Sequence, residues 1–221
     1  MLSLQGEHIR LRALEPEDLD FLYELENKTA IWEISGTTTP YSKGVLKKYL
    51  ENAHLDIYEV KQLRLAICRG GDGLEKRPFS GRTSEAGRAS GLRSSKGPEA
   101  TSAPDEMKGR DEADEYNEPL GLIDLFDFDP KNRRTGLGII VLEKENRNRG
   151  IGSETIRLLT EYAFSVLDLR QVYANVIEGN SASVHLFEKL GFERAGVKKD
   201  WIFSKGIYKD EILYQKRNVQ P

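Results

Sequence analysis

The chain has 221 residues, a hydrophobic content of 38% and a formal net charge of −3, so it can bury the core of one globular domain. This slightly acidic balance gives no global basic field, which argues against a nucleic-acid partner and against attraction to an anionic membrane. The single cysteine, Cys68, excludes an intramolecular disulfide and a cysteine-rich zinc site, and it fits a reducing, cytoplasmic location.

The N-terminal part of the chain alternates between strand and helix patterns. Residues 8–14 alternate apolar and polar side chains, which is typical of a half-buried strand. Residues 15–27 combine an early proline, acids in the first turn and leucines at helical spacing, and predict a helix. A second helix is predicted over 42–56 and a strand over 63–68. No apolar stretch approaches the roughly 18 residues that a membrane span requires.

The composition changes between residues 70 and 115. This segment is rich in glycine, serine and charged residues, and it contains no valine, isoleucine, tryptophan or tyrosine. Such a segment cannot bury enough apolar surface to offset the entropy lost on ordering, so we expect a disordered or flexible insert within one domain spanning 1–221. The alternatives are a small independent domain and an element that recruits a partner.

Regular patterns resume at residue 119. Residues 119–128 and 134–143 predict a hairpin around the turn at 129–132. The remaining chain predicts, in order, a helix over 153–167, a strand over 171–177, a helix over 181–190 that Asn180 caps, and two strands over 193–217 joined at Lys205-Gly206. This order predicts an α+β fold with helices on a mixed sheet.

A basic, glycine-bearing hexapeptide, RNRGIG at 147–152, lies between a predicted strand and a predicted helix. Gly150 and Gly152 leave the backbone N–H groups at the start of the helix accessible, and the helix N-terminus favours an anion. Arg147 and Arg149 add a charge and a planar donor geometry that suit phosphate. The hexapeptide lacks the Lys-Ser/Thr of a P-loop and is not GxGxxG. It predicts a pyrophosphate site, and a plain strand-to-helix turn with surface arginines is the alternative.

RNRGIG and the later NSASVHLFEKLGF together resemble the acetyl-CoA-binding core of the GNAT superfamily of N-acetyltransferases. The segments HIRLRALEPEDL, GLIDLFDFDPKNRRTGLGIIV and WIFSKGIYKDEILY are most similar to the branch that holds spermidine/diamine acetyltransferases and ribosomal-protein N-terminal acetyltransferases. The resemblance covers nearly all of the chain outside 70–115. It implies a mixed, mostly antiparallel sheet that is flanked by helices and splayed at the acetyl-CoA site.

The resemblance also implies which residues contact acetyl-CoA. Ile140 and Val141 would contact the pantetheine arm through their main chain, while Asn180 and Phe187 would border the arm and the thiol. The pyrophosphate would rest on Arg147, Asn148, Arg149, Gly150, Ile151 and Gly152. Structural alternatives remain for the first four: sheet core for Ile140 and Val141, a helix cap for Asn180, and core packing for Phe187.

The catalytic groups are less well determined. Where many members have a general-base glutamate this chain has Gly136, and where they have a general-acid tyrosine it has Phe187. Because an alkylamine is mostly protonated at neutral pH, a base or a water chain should still take its proton. Glu33 and Asp124 are the candidate bases, and Asp127 is a further acid on the strand beside Gly138 that could supply the base. The spacing of Asp124 and Asp127 predicts that these two carboxylates face opposite sides of the sheet.

Trp32, Glu33 and Tyr208 are the candidate acceptor-binding residues. IWEIS, at 31–35, follows the first helix, where related enzymes have their acceptor-binding loop, and Tyr208 lies in the final hairpin. Solvated carboxylates and core packing are the alternatives. No metal site is predicted, because the three histidines are isolated from one another and from other ligands.

The predicted function is acetyl transfer from acetyl-CoA to a primary amine, carried by a polyamine-like molecule or by a protein N-terminus. Direct transfer within a ternary complex is expected, because no activated nucleophile is evident. A homo-oligomer is compatible with this function. The alternative is a CoA-binding sensor or partner-binding module that has kept the fold and lost the chemistry.

Overall fold

A computed structural model describes residues 4–70, 118–142 and 150–219, and for Ile34 its backbone alone. The strands are β1 (Ile9–Ala13), β2 (Leu63–Arg69), β3 (Pro119–Asp129), β4 (Arg134–Val141), β5 (Gln171–Ile177), β6 (Glu193–Ser204) and β7 (Ile207–Arg217). The helices are α1 (Leu19–Glu26), α2 (Thr29–Ser35), α3 (Lys43–Glu51), α4 (Ile57–Val60), α5 (Ile151–Ser165) and α6 (Ser181–Lys189). All but the first residue of the predicted insert at 70–115 lies outside the described residues.

The strands form one seven-stranded sheet in the order β1-β2-β3-β4-β5-β7-β6. Neighbouring strands are antiparallel except for β4 and β5, which are parallel. The predicted mixed and mostly antiparallel sheet is therefore confirmed. The parallel contact between β4 and β5 requires a crossover connection, and α5 lies within it.

Two hydrophobic cores lie on opposite faces of the sheet. On one face, α5 contributes Ile156 and Leu159 to a core that includes residues of β1 to β5 and β7. On the other face, α1 and α3 contribute Leu22 and Leu46 to a smaller core with residues of β2, β3 and β4. Among the described residues, this second core contains none from β5, β6 or β7, so it stops near the middle of the sheet.

Most predicted elements are confirmed, with shifted ends. The predicted helix at 42–56 ends earlier, since α3 stops at Glu51, and the IWEIS segment is helical as part of α2. Lys205 and Gly206 both have positive φ, 51° and 83°, as a two-residue type I′ hairpin turn requires. None of the helices in the described part of the chain is both long and apolar enough to cross a membrane.

Candidate active site

The sheet opens between β4 and β5. These strands pair only at Arg134↔Gln171, Thr135↔Val172 and Gly136↔Tyr173. Both strands continue further, β4 to Val141 and β5 to Ile177, but within the described residues their pairing does not. The strands therefore diverge from a vertex at Gly136 and Tyr173, and a gap opens towards their C-terminal ends, as the resemblance implied.

The register of β4 determines which of its backbone groups face this gap. Leu142 donates its N–H to the Leu120 carbonyl, just beyond the paired residues of β3, at 2.9 Å. Because residues two apart on a strand share an orientation, Ile140 also turns its N–H and C=O towards β3. Ile139 and Val141 turn theirs towards the gap. Of the two residues predicted to make main-chain contacts, Val141 has the required orientation, whereas Ile140 uses its main chain within the sheet.

The N-terminus of α5 lies beside the gap. A Cβ atom added to Gly152, in the first turn of α5, would lie 3.3 Å from Leu186 and 3.9 Å from Ile139. Gly152 therefore lets this turn pack closely against both the gap-lining strand and α6. The first N–H groups of a helix have no acceptor within it, so this turn presents donors at the end of the gap.

The residue that caps α5 is Gly150. Its φ of +84° lies in the left-handed region, and an added Cβ would meet open space, so glycine suits both the backbone turn and the approach of a ligand. Ile151 is buried in the core and is available to a ligand only through its backbone. Arg147, Asn148 and Arg149 lie outside the described residues, and their phosphate contacts stay a prediction.

The start of α6 confirms one structural role and leaves another open. The Asn180 side-chain oxygen accepts a hydrogen bond from the Ser183 backbone N–H at 3.2 Å, so the predicted cap is confirmed. Phe187 is 4% exposed and packs edge-on against Phe192 and stacked against Tyr214. Core packing accounts for Phe187, and its predicted contact with the thiol stays a prediction.

The space at Gly136 is already filled. A Cβ atom added to Gly136 would lie 2.3 to 2.7 Å from ring atoms of Phe126, whereas one added to Gly138 would lie 3.7 Å from the same ring. Phe126 is the β3 partner of Gly136 and meets the Tyr173 ring edge-on, with centroids 5.9 Å apart. An aromatic pair therefore covers the vertex where the resemblance would place a glutamate.

Asp124 is held in an ion-paired cluster. Arg64 donates to both of its carboxylate oxygens, at 2.7 and 3.3 Å, and also to Glu26 at 2.7 Å. Burial raises the pKa of Asp124, and the two hydrogen bonds from Arg64 oppose this. The cluster ties α1, β2 and β3 together, so the structure accounts for Asp124 without a catalytic role, which stays a prediction.

Asp127 occupies a bulge in β3. The register between β3 and β4 shifts between Phe126 and Asp129, and Asp127 has a φ of 49°, which is uncommon for a residue with a side chain. The Tyr173 hydroxyl donates to Asp127 at 3.2 Å. The prediction that Asp124 and Asp127 lie on opposite faces is wrong, because the bulge turns Asp127 towards the face that carries Asp124.

Glu33 and Trp32 connect α2 to other elements. Glu33 forms an ion pair with Lys209 of β7, and Lys205 lies 4.0 Å from its other oxygen. Hydrogen bonds from Lys209 and Ser204 lower the pKa of Glu33, which makes it a weaker base. The indole N–H of Trp32 donates to the Glu26 carbonyl at 2.8 Å. Glu33 therefore links α2 to the final hairpin, and Trp32 links α2 to α1.

Tyr208 lies on the surface near the tip of the final hairpin. It is 63% exposed, and its ring contacts that of Phe203, which is 64% exposed, with centroids 5.0 Å apart. Core packing, the alternative considered for Tyr208, is therefore excluded. Its predicted contact with an acceptor stays a prediction.

Sequence reasoning missed the aromatic pair at the vertex and the partners of the candidate carboxylates. Phe126, Tyr173, Arg64 and Lys209 belong to strands whose neighbours a single sequence does not identify. One signal was present: a glycine inside a strand often marks the close approach of another group, as Phe126 approaches Gly136. In the described ranges no group of histidine, cysteine, aspartate or glutamate is arranged to hold a metal ion.

A family model described as acetyltransferase (GNAT) domain matches residues 8–193. Among curated proteins, the chain is 36% identical over 98 residues to a prophage-derived N-acetyltransferase of Bacillus subtilis, and this match covers 44% of the chain and 55% of the relative. It is 30% identical over 95 residues to spermidine N(1)-acetyltransferase of Escherichia coli, with coverages of 43% and 50%. A putative ribosomal N-acetyltransferase of Bacillus subtilis matches at 32% over 94 residues, with coverages of 42% and 51%. The chain spans about half the length of these curated relatives.

Solved structures extend the similarity in fold to nearly the whole chain. Spermidine N-acetyltransferase from Vibrio cholerae, in complex with CoA and spermine, superposes with a TM-score of 0.67 at 20% identity, and the match covers 95% of both chains. A dodecameric structure of that enzyme in an intermediate state gives a TM-score of 0.62 at 22% identity, with coverages of 95% and 93%.

Proposed function

Since this chain belongs to the acetyltransferase (GNAT) family, we propose that it transfers an acetyl group from acetyl-CoA to a primary amine. The acceptor is a polyamine-like molecule or a protein N-terminus, in line with the spermidine and ribosomal acetyltransferases among its relatives. Transfer is direct, within a ternary complex. The observation that carries the proposal is the gap between β4 and β5, which leads from the vertex at Gly136 to the N-terminus of α5.

The residues around the gap fit acetyl-CoA. The backbone groups of Ile139 face the gap and suit the amide groups of a pantetheine arm. The first turn of α5, which Gly150 opens with a positive φ, offers N–H donors and a partial positive charge to a pyrophosphate. Acetyl-CoA supplies an activated acetyl thioester to this site.

The chemistry that remains for the chain is to position a neutral amine and to accept its proton. The amine nitrogen attacks the thioester carbonyl carbon, the carbon–sulfur bond breaks, and the sulfur leaves as a thiolate. A thiol with a pKa near 8.5 leaves readily in this form, so the burial of Phe187 at the usual tyrosine position does not prevent the reaction. The proton of the amine passes to a carboxylate or to water at the acceptor side.

Release of the CoA thiol across a panel of diamines, polyamines and peptides with free N-termini tests the proposal. We expect turnover with at least one class of acceptor, at a rate above hydrolysis of acetyl-CoA without acceptor. A panel that never raises thiol release above that background would contradict it. Mass spectrometry of the acceptor identifies which nitrogen carries the acetyl group.

A second candidate function is that of a CoA-binding module without acetyl transfer. The ring of Phe126 over Gly136 and the core packing of Phe187 favour it, because neither usual catalytic position carries a group that exchanges protons. Tight binding of acetyl-CoA by calorimetry, combined with no acetylated product from the whole panel, would favour this candidate over the first.

The predicted homo-oligomer is in line with the dodecameric relative, and sedimentation velocity tests it.

A further inference from the structure

Asp127 stands apart from the other candidate carboxylates. Asp124 is paired with Arg64 and Glu33 with Lys209, so each already has a cation from the chain itself. Within the described residues, no cationic side chain forms an ion pair with Asp127. Its one hydrogen-bond partner there is the neutral hydroxyl of Tyr173, and its charge is left for a group from outside.

Asp127 is also held next to the vertex. Gly136 and Tyr173 are the last pair before β4 and β5 diverge, and the bulge at Asp127 brings its carboxylate to the Tyr173 hydroxyl. Burial, and then Asp127 itself, raise the pKa of Tyr173 to about 12, so the phenol keeps its proton and donates it. Tyr173 thereby fixes the orientation of Asp127, and the Phe126 ring meets the Tyr173 ring edge-on.

We propose that Asp127 binds a cationic nitrogen of the acceptor at the vertex, with Tyr173 as the positioning residue. This inference rests on the proposed acetyltransferase function and narrows its acceptor. The favoured acceptor carries, in addition to the amine that is acetylated, a second positive charge that pairs with Asp127. Asp127 is exposed, so a cationic nitrogen can reach its carboxylate, and the hydrogen bond from Tyr173 holds that carboxylate in one orientation.

The test compares Asp127→Asn and Tyr173→Phe with the control Asp168→Asn. Asp168 is exposed like Asp127 and has a similar φ of 52°, but its carboxylate already pairs with Arg133. Asparagine tolerates the positive φ as well as aspartate does, so both Asp→Asn changes remove one negative charge and keep nearly the same side-chain shape. Putrescine and n-butylamine are the acceptor pair, because they differ in one cationic nitrogen. If only peptides are acetylated, peptides with lysine or norleucine at the second position replace them.

We expect Asp127→Asn to raise the KM for the dicationic acceptor roughly tenfold or more, because a charge-assisted hydrogen bond is lost. The KM for acetyl-CoA and the KM for the monoamine should not change. Tyr173→Phe should raise the KM for the dication several-fold, and Asp168→Asn should match the unaltered protein. An equal KM for the dication in Asp127→Asn and Asp168→Asn would overturn the inference, as would a loss of kcat at unchanged KM.

Calorimetry of putrescine binding to the CoA-saturated protein separates this inference from the proposed function. Binding that Asp127→Asn weakens and Asp168→Asn does not weaken supports the acceptor site, even if no acetylated product forms. Binding that is equal in both variants overturns the acceptor site, even if acetyl transfer takes place. If the unaltered protein shows no acetyl transfer, that result contradicts the proposed function, and the acceptor site is then judged by binding alone.

Discussion

At the scale of single residues, Gly136 and Phe126 are matched in shape. Gly136→Ala should lower the free energy of unfolding by about 1–3 kcal/mol, the usual cost of overpacking, because its Cβ would lie 2.3 Å from the Phe126 ring. Gly138→Ala is the control, since its Cβ would lie at an ordinary contact distance of 3.7 Å from that ring. Denaturation with urea measures both changes.

The double variant Phe126→Ala with Gly136→Ala shows whether the ring is the cause. Removing the ring frees the space for the new Cβ, so Gly136→Ala should cost less stability in the Phe126→Ala background than alone. Equal costs in both backgrounds would mean that the backbone at Gly136, and not Phe126, rejects a side chain. Equal costs for Gly136→Ala and Gly138→Ala would lead to the same conclusion.

Glu33 makes the stability of the protein depend on pH in a defined direction. Its pKa is lowered by hydrogen bonds from Lys209 and Ser204, so the folded state holds the ionised form more strongly than the unfolded state does. This contribution is complete above the ordinary pKa of a glutamate and is lost as the pH falls through the lowered folded pKa. The difference in Tm between the unaltered protein and Glu33→Gln should therefore shrink as the medium becomes acidic.

The measurement for Glu33 is a series of thermal denaturations from neutral to acidic pH. Glu178→Gln serves as the control, because Glu178 is an exposed glutamate that forms no ion pair within the described residues. A Tm difference for Glu33→Gln that grows towards acidic pH would contradict the assigned direction of the pKa shift. The same series for Lys209→Met should reproduce the trend of Glu33→Gln, since either change breaks the pair.

The sequence identified carboxylates by type, but it could not assign their partners. Glu33, Asp124 and Asp127 were all candidates, and their differences arise from Lys209, Arg64 and Tyr173. Each of these partners lies on another element, far away in the sequence. Their pairing depends on the strand order and the register, so chemistry at the residue scale follows from structure at the next scale.

At the scale of elements, the hairpin of β3 and β4 was predicted and its bulge was not. The pair Asp129↔Arg134 next to the turn would place Asp127 opposite Gly136 if the ladder were regular. The bulge inserts one extra residue in β3, so Phe126 lies opposite Gly136 instead. A bulge depends on the backbone conformation of one residue, here the positive φ of Asp127, and alternation of apolar residues carries no signal for it.

The edge of β4 that faces the gap can be tested with proline, which has no N–H. Ile139→Pro removes a donor that faces the gap, whereas Ile140→Pro removes one that bonds to β3 and strands the Leu122 carbonyl. The two side chains are both half-buried, so the loss of packing is similar. We expect the free energy of unfolding of Ile140→Pro to be lower than that of Ile139→Pro by about 1–3 kcal/mol, which is the cost of an unsatisfied carbonyl.

The same pair of variants tests the docking of acetyl-CoA. Ile139→Pro should keep the fold by circular dichroism and bind acetyl-CoA more weakly by calorimetry, because a main-chain donor in the gap is lost. Leu63→Ala in β2 controls for the loss of a half-buried side chain far from the gap. Unchanged affinity for acetyl-CoA in a folded Ile139→Pro would contradict backbone docking at this position.

At the scale of the whole molecule, the order of elements was predictable because each one carries its own signal. Alternation identified the strands, helical spacing identified α5, and Asn180 marked the start of α6. The arrangement of the sheet did not follow from these signals, since β7 lies between β5 and β6, and local patterns contain no information on which strands are neighbours. The resemblance to the GNAT superfamily supplied the mixed, mostly antiparallel character of the sheet, which the structure and its structural relatives confirm, but not the order of its strands.

The two sheet faces explain why one molecule combines a rigid frame with an open cleft. Strands β2 and β3 contribute buried residues to the cores on both faces, and β4 contributes the buried Leu137 to one core and the half-buried Ile140 to the other. Central strands of this kind are the least free to move, and they form the rigid frame. Beyond the vertex, the second core has no described member from β5, β7 or β6, and α2 reaches β7 through the ion pair of Glu33 with Lys209. The proposed acceptor site therefore lies where the second core stops, with Asp127 on the frame strand β3 and Tyr173 on the neighbouring strand β5.

Deletion of residues 71–117 tests how much of the chain this frame needs. The strands that flank the deletion are neighbours, with Cys68 paired to Pro119, so a short glycine- and asparagine-containing turn from Gly70 to Glu118 can join them. Shortening the connection reduces the entropy cost of closing it by roughly 2 kcal/mol. We therefore expect the shortened protein to unfold cooperatively, with a Tm no lower than that of the full chain, and to bind acetyl-CoA with unchanged affinity by calorimetry.

A folded product that binds acetyl-CoA but no longer acetylates the acceptor of the full chain would assign the deleted residues to acceptor recruitment. A product that fails to fold would show that they contribute to the core, against the prediction from their composition.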